Sequence, residues 1–218
     1  MKRMLTAIKI CGITREQDAL AAAYCGANAI GLVFYANSPR HVTPARAAEL
    51  MRVLPPLVMS VGLFVDAAAD EVKQTLATAR VELLQFHGDE SPDYCRQISR
   101  HCGVPYLKAL RVRPGLNLLQ YAHAYRDAKA LLLDAYLEGT HGGTGATFDW
   151  ALIPENLPLP VVLSGGLTPE NVTSAIQMVR PWAVDVSSGV EVSKGIKSRE
   201  KIEAFVTGVR NADGRPAR

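Results

Sequence analysis

Eight apolar runs suited to buried strands begin near Ala7, Ala29, Val58, Glu82, Pro105, Lys129, Pro160 and Ala183, with starts 22 to 31 residues apart. Helical patterns fill the intervals: Thr14–Tyr24, Thr43–Leu54, Ala67–Ala79, Ser91–His101, Pro114–Tyr125, Thr168–Val179 and Ser198–Val209. The sixth interval carries only a short helical segment, near Asp149–Ile153. Eight β-then-α units at this spacing predict an α/β fold, a single-domain (β/α)8 TIM barrel. Leu131-Leu132-Leu133 shows no polar alternation, as expected of a parallel strand covered on both faces. An open doubly wound sheet competes, but it usually has fewer strands and no early G-x-G-x-x-G is present. No linker-like stretch divides the chain, so the barrel is expected over residues 1–210, with residues 211–218 a frayed tail.

Composition narrows the function classes. The 218 residues are 48% hydrophobic, enough for one substantial core. Lys and Arg number 24 against 21 Asp and Glu, and no basic block interleaves with aromatics, so no nucleic-acid partner is expected. Lys9 cuts the first apolar run too short for a signal peptide. No stretch approaches the roughly 18 apolar residues that span a bilayer, so no membrane partner is expected and the compartment is read as cytoplasmic. The four cysteines match no zinc spacing and no His/Asp/Cys group has metal-ligand spacing, so no metal is expected. Cys25, Cys95 and Cys102 fall on helical patterns as packing residues.

In a (β/α)8 barrel the chemistry stands at the C-terminal ends of the strands. Cys11 ends the first strand, two residues beyond Lys9, so the two share a face. If both point inward, the ammonium favours the thiolate, a base or nucleophile; the bland alternative is an inert buried cysteine. Asp134 caps an apolar strand, which suits a desolvated general acid, or else a structural carboxylate bonded to loop backbone. Arg40, after Ser38-Pro39, offers a fork for a carboxylate, although exposed arginines are common. His87 and Asp66 are candidate pocket liners. The glycine-dense loop Glu138–Trp150, which holds His141, reads as a flap or a close backbone approach.

Strands seven and eight both end in small residues. Ser164-Gly165-Gly166 follows one, ahead of Thr168 as an N-cap and Pro169 at the first helical position. Ser187-Ser188-Gly189 follows the other, two residues beyond Asp185. Free backbone N–H groups beside a helix N-terminus make an anion site, most often for phosphate.

Taken together, Lys9-Ile10-Cys11-Gly12, Ser38-Pro39-Arg40, Gln85-Phe86-His87-Gly88, Gly142-Gly143-Thr144-Gly145, Leu163-Ser164-Gly165-Gly166 and Asp185-Val186-Ser187-Ser188-Gly189-Val190-Glu191 resemble the phosphoribosylanthranilate isomerase family of tryptophan biosynthesis, from about Ala7 to Phe205. The resemblance implies an isomerase that carries out a cofactor-free Amadori rearrangement of a phosphosugar. It implies Cys11 as general base, Asp134 as general acid and Arg40 facing the anthranilate carboxylate. The phosphate would rest on Gly165, Gly166, Ser187, Ser188 and Gly189, with His87 and Asp185 completing the substrate-binding set. Ala146 and Asp66 depart from the family pattern. A monomer or homodimer is expected. The rival readings are another sugar-phosphate barrel isomerase or epimerase, and a non-catalytic phosphosugar-binding protein.

Overall fold

The computed structural model describes residues 5–113, 115–135 and 150–214. Eight strands, β1 (Ala7–Cys11), β2 (Ala29–Val33), β3 (Met59–Phe64), β4 (Leu83–Phe86), β5 (Tyr106–Val112), β6 (Ala130–Ala135), β7 (Val161–Leu163) and β8 (Ala183–Val186), pair in parallel in chain order. Strand β8 closes on β1 in a register running from Ala7↔Ala183 to Ile10↔Val186, so the sheet is a closed barrel. Among the described residues there are seven helices: α1 (Glu16–Cys25), α2 (Pro44–Arg52), α3 (Ala69–Thr78), α4 (Pro92–Cys102), α5 (Leu118–Ala124), α6 (Val172–Val179) and α7 (Arg199–Ala212). The sixth unit carries a 3-10 turn, Trp150–Leu152, among the described residues. Beyond β8 the chain adds a hairpin, β9 (Glu191–Ser193) and β10 (Ile196–Lys197), before α7.

Local chemistry starts the helices where the side chains demand it. Thr43 Oγ1 accepts from Arg46 N at 3.2 Å, Ser91 Oγ from Tyr94 N at 3.2 Å and Ser198 Oγ from Lys201 N at 3.2 Å. Each satisfies an N–H that the first turn leaves without a partner. Helix α6 departs from expectation. It begins at Val172, because the Asn171 side chain turns back to accept from Thr168 N at 2.8 Å and to donate to Gly166 O at 2.9 Å. Thr168 therefore opens a polar turn that leads into the helix.

Of the expected tail, residues 211–214 are described, and they continue the last helix into its closing turn. Helix α7 runs to Ala212, which is buried, and Asp213 accepts from both Thr6 N and Thr6 Oγ1 at 2.9 Å. Residues 215–218 lie outside the described residues.

Two cores follow from the alternation of the strands. Leu131 and Leu133 point outward, into the layer between sheet and helices that also holds Phe64, Phe86 and Phe205. Leu132 points inward, against Leu107, Ala109, Ala130, Val162 and Ala183. This inner plug fills the lower barrel. Above it the inward positions turn polar: Lys9 and Asp185 are direct register partners on β1 and β8, and Gln85 on β4 is fully buried. The floor of the upper barrel is thus charged and buried, and its charges must be paired.

Candidate active site

The mouth of the barrel opens on a cavity of about 670 Å³. Cys11, Arg40, His87, Asp134, Gly165 and Gly166 line it, as do Asp185, Ser187 and Ser188. Residues that the sequence scatters over 178 positions therefore share one wall-to-wall site. Gly189 stands one residue outside the lining. Its Cα packs so tightly on the Leu167 carbonyl that no side chain fits there, which brings the two glycine- and serine-rich turns together.

Cys11 is 5% exposed and rises from the first strand with Lys9 beside it. Gly31 on β2 makes the room: a methyl group there would sit 2.7 Å from Cys11 Sγ and 3.1 Å from Lys9 Nζ. The Lys9 ammonium donates to Asp185 Oδ1 at 2.8 Å. Burial works against the Lys9 charge, yet Asp185 and Cys11 together hold its pKa above the ordinary lysine range. Both side chains do point inward, but the expected thiolate does not follow. Burial pushes the Cys11 thiol up, and Lys9, which pulls it down, is offset by Asp185. The net result is a thiol above its ordinary range, because one carboxylate serves the ammonium that would have served the sulfur. Cys95, by contrast, is buried away from the cavity in the outer core, and burial pushes its thiol up to about 12.

Across the cavity, Asp134 is 6% exposed and its Oδ2 lies 3.2 Å from His87 Nε2. His87 Nδ1 lies 2.8 Å from Gln85 Nε2. The imidazole thus bridges Gln85 and Asp134 through its two ring nitrogens. His87 lines the cavity as expected, and the structure adds this second role as the support of the carboxyl group. Its turn is itself fixed. Lys108 Nζ donates to Gly88 O at 2.7 Å and to Glu90 Oε2 at 2.8 Å, and Gly88 N donates back to Glu90.

Asp185 is buried under the site, taken by Lys9 and, at 3.4 Å, by Ser164 Oγ. Arg40 lines the cavity, but its fork is occupied: Nε and Nη2 donate to Glu191 Oε1 and Oε2 at 2.8 and 2.7 Å. The bidentate carboxylate grip expected for a ligand is made by the protein itself. Asp66 adopts φ 47° and its Oδ1 accepts from Asp89 N at 2.6 Å, which makes it a loop-ordering residue. His141, Ala146 and the rest of 136–149 lie outside the described residues.

On the remaining wall, Gly165 and Gly166 adopt φ 83° and 65°, a conformation that favours glycine, and Ser188–Val190 forms a 3-10 turn. Two small-residue turns at strand ends meet there, a backbone arrangement that can cradle an anion. Opposite, Val33, Leu63 and Val65 pack with Tyr35 and Cys11 into a small apolar patch. A thiol facing a carboxyl group, two glycine- and serine-rich turns and an apolar wall could together take a phosphorylated substrate with an apolar substituent.

The model of the N-(5'phosphoribosyl)anthranilate (PRA) isomerase family matches residues 8–208. The chain belongs to the PRA isomerase family. An N-(5'-phosphoribosyl)anthranilate isomerase of Nitrosospira multiformis is 59% identical over 202 residues, 93% of this chain and 95% of the relative. The crystal structure of the phosphoribosyl anthranilate isomerase of Thermotoga maritima superposes with a TM-score of 0.87 at 38% identity, covering 95% of this chain and 100% of the other. A further PRA isomerase structure, in complex with reduced 1-(o-carboxyphenylamino)-1-deoxyribulose 5-phosphate, is 37% identical with a TM-score of 0.84 and the same coverage. Within the PRA isomerase frame, sequence reasoning missed Gln85, Gly31 and Lys197 as parts of the site. Only Gly31 carried a signal, since glycine inside a strand marks a close approach.

Proposed function

We propose that Cys11 is the general base and Asp134 the general acid of the family's reaction, the isomerisation of N-(5'-phosphoribosyl)anthranilate to 1-(2-carboxyphenylamino)-1-deoxyribulose 5-phosphate in tryptophan biosynthesis. The observation that supports this is the pairing of a buried thiol on β1 with a His87-held carboxyl group on β6, facing one cavity. Asp134 gives its proton to the ribose ring oxygen, the bond from that oxygen to C1 breaks, and the anilino nitrogen lone pair forms the Schiff base. Cys11 then takes the proton from C2, and the electron pair left behind makes the C1=C2 bond of an enolamine. The enolamine tautomerises to the C2 ketone. One acid and one base suffice, each supplying about 10²–10⁴-fold, and no cofactor takes part.

In this reading the phosphate lies on Gly165, Gly166, Ser187, Ser188 and Gly189, the aromatic ring lies against Val33, Leu63 and Val65, and the outer edge of Arg40 meets the carboxylate. Asp185 acts through Lys9. We place the enzyme in the cytoplasm, as a monomer or homodimer. No helix among the described residues is long and apolar enough to cross a membrane.

The test follows the fluorescence of the substrate as it is consumed. Cys11→Ala and Asp134→Asn are each expected to lower kcat by about 10²-fold or more. Both should still bind the reduced product analogue. Normal turnover by both variants overturns the assignment.

A further inference from the structure

Three charged side chains beside the reacting pair are buried without taking part in the proton transfers. Arg40, Glu191 and Lys197 have side chains only 11%, 5% and 0% exposed. Glu191 Oε1 accepts from Arg40 Nε at 2.8 Å, Lys197 Nζ at 2.8 Å and Gly195 N at 3.2 Å, while Oε2 accepts from Arg40 Nη2 at 2.7 Å. Lys197 Nζ also donates to Ser187 O at 3.1 Å and Ser187 Oγ at 3.3 Å, and Ser187 Oγ donates to the Cys11 carbonyl at 3.1 Å. The chain of contacts thus runs from the β2 loop through one carboxylate to the anion cradle and the tip of β1.

Such a cluster is a poor source of stability, because desolvating three charges offsets most of their attraction. Its geometry serves the site instead. Two cations against one carboxylate leave one positive charge at the cavity wall, and Lys194, on the same hairpin, lines that wall too. Gly12 clears a path for the Arg40 side chain, whose Cβ and Cγ would lie 3.2 Å from any added methyl group. Thr14 Oγ1 donates to Gly195 O at 2.6 Å and ties down the hairpin that carries Glu191 and Lys197. The fork of Arg40 is spent on Glu191, so Nη1 and the second Nη2 proton form the edge left for a ligand.

We propose that Glu191 and Lys197 are positioning residues, a buried clamp that presents one edge of Arg40 to the ligand carboxylate and sets the Ser187 turn for the phosphate at the same time. The clamp rests on the reading that Arg40 meets that carboxylate. A carboxylate contact of this kind is made equally in the ground and transition states, so its loss raises KM and spares kcat.

The experiment compares two probes: reduced 1-(2-carboxyphenylamino)-1-deoxyribulose 5-phosphate, and the same molecule without the carboxyl group. Arg40→Met is expected to abolish the preference for the carboxylated probe. If it does not, the reading of Arg40 fails and the clamp with it. If it does, Glu191→Gln is expected to reduce that preference about tenfold and to raise KM for the substrate with kcat within about threefold. Added to Arg40→Met, Glu191→Gln should change the preference no further. An unchanged ratio of the two probes in Glu191→Gln shows that the cluster does not present Arg40 to the carboxylate and overturns the proposal. Should Glu191→Gln not fold, Glu191→Asp keeps the charge but withdraws it by one methylene. It is expected to give an intermediate loss of preference, and an unchanged preference counts against the clamp.

Discussion

As the proposed general base, Cys11 must lose its own proton before it can take one from the substrate. Burial first, and then Asp185, hold its pKa above the ordinary thiol range, while Lys9 pulls the other way. The active fraction therefore grows with pH, and kcat/KM is expected to rise through neutrality into the alkaline range with no thiol plateau near pH 8.5. Lys9→Met removes the favourable cation and leaves Asp185 unpaired, and both changes move the limb to higher pH. A pH profile of the variant that matches the original shows that Lys9 does not act on the thiol. Gly31 makes a second prediction at this scale. In Gly31→Ala the new methyl would lie 2.7 Å from Cys11 Sγ and 3.0 Å from Cys11 Cα, so the backbone of β1 must shift along with the sulfur. Since misplacement by about 1 Å can cost about 10²-fold, kcat is expected to fall at least tenfold while a thermal melt still shows a cooperative fold.

At the scale of elements, the site is made by turns after strands, and each turn is held by a neighbouring unit. The turn after β7 and the turn after β8 meet at Gly189 against the Leu167 carbonyl. Gly189→Ala should spread them, and competitive inhibition by inorganic phosphate is expected to weaken about tenfold. The hairpin β9–β10 contributes through Glu191. Burial raises its pKa, but the Arg40 hydrogen bonds and the Lys197 charge outweigh this and hold it below the ordinary glutamate range. A carboxylate whose folded pKa is depressed stabilises the protein above its unfolded pKa, about 4.3, and this stability is lost as pH falls through the folded value. Urea unfolding measured from pH 5 downward should therefore show a steep acid limb, and Glu191→Gln should flatten it. An equally steep limb in the variant shows that the clamp adds nothing to acid stability.

For the whole molecule, closure of the barrel brings the two ends of the described chain together. The pairing of β1 with β8 sets Thr6 against Asp213, far from the cavity. Asp213→Ala removes two partly buried hydrogen bonds to a charged group, at a cost of about 1–3 kcal/mol. The melting temperature is expected to drop by roughly 2–10 °C for a domain of this size, with kcat unchanged. An unchanged melting temperature means that the contact at the chain ends carries no stability.

Local periodicity determined the fold. Apolar runs such as Leu131-Leu132-Leu133, spaced for strand-then-helix units, admit few architectures, and every strand begins within one residue of its expected start. Cys11, Asp134 and the two small-residue turns were legible for the same reason, because a strand end in this fold is a place on the rim. Which charge faces which was not legible. Nothing local in Arg40 shows that Glu191, 151 positions away, takes its fork, nor in Lys9 that Asp185, 176 positions away, accepts its hydrogen bond. Burial and charge at a distance decide an ionisation state, and both come into being only when the barrel closes. The sequence alone determined which residues stand at the rim, and only the tertiary structure decided what each of them is bonded to.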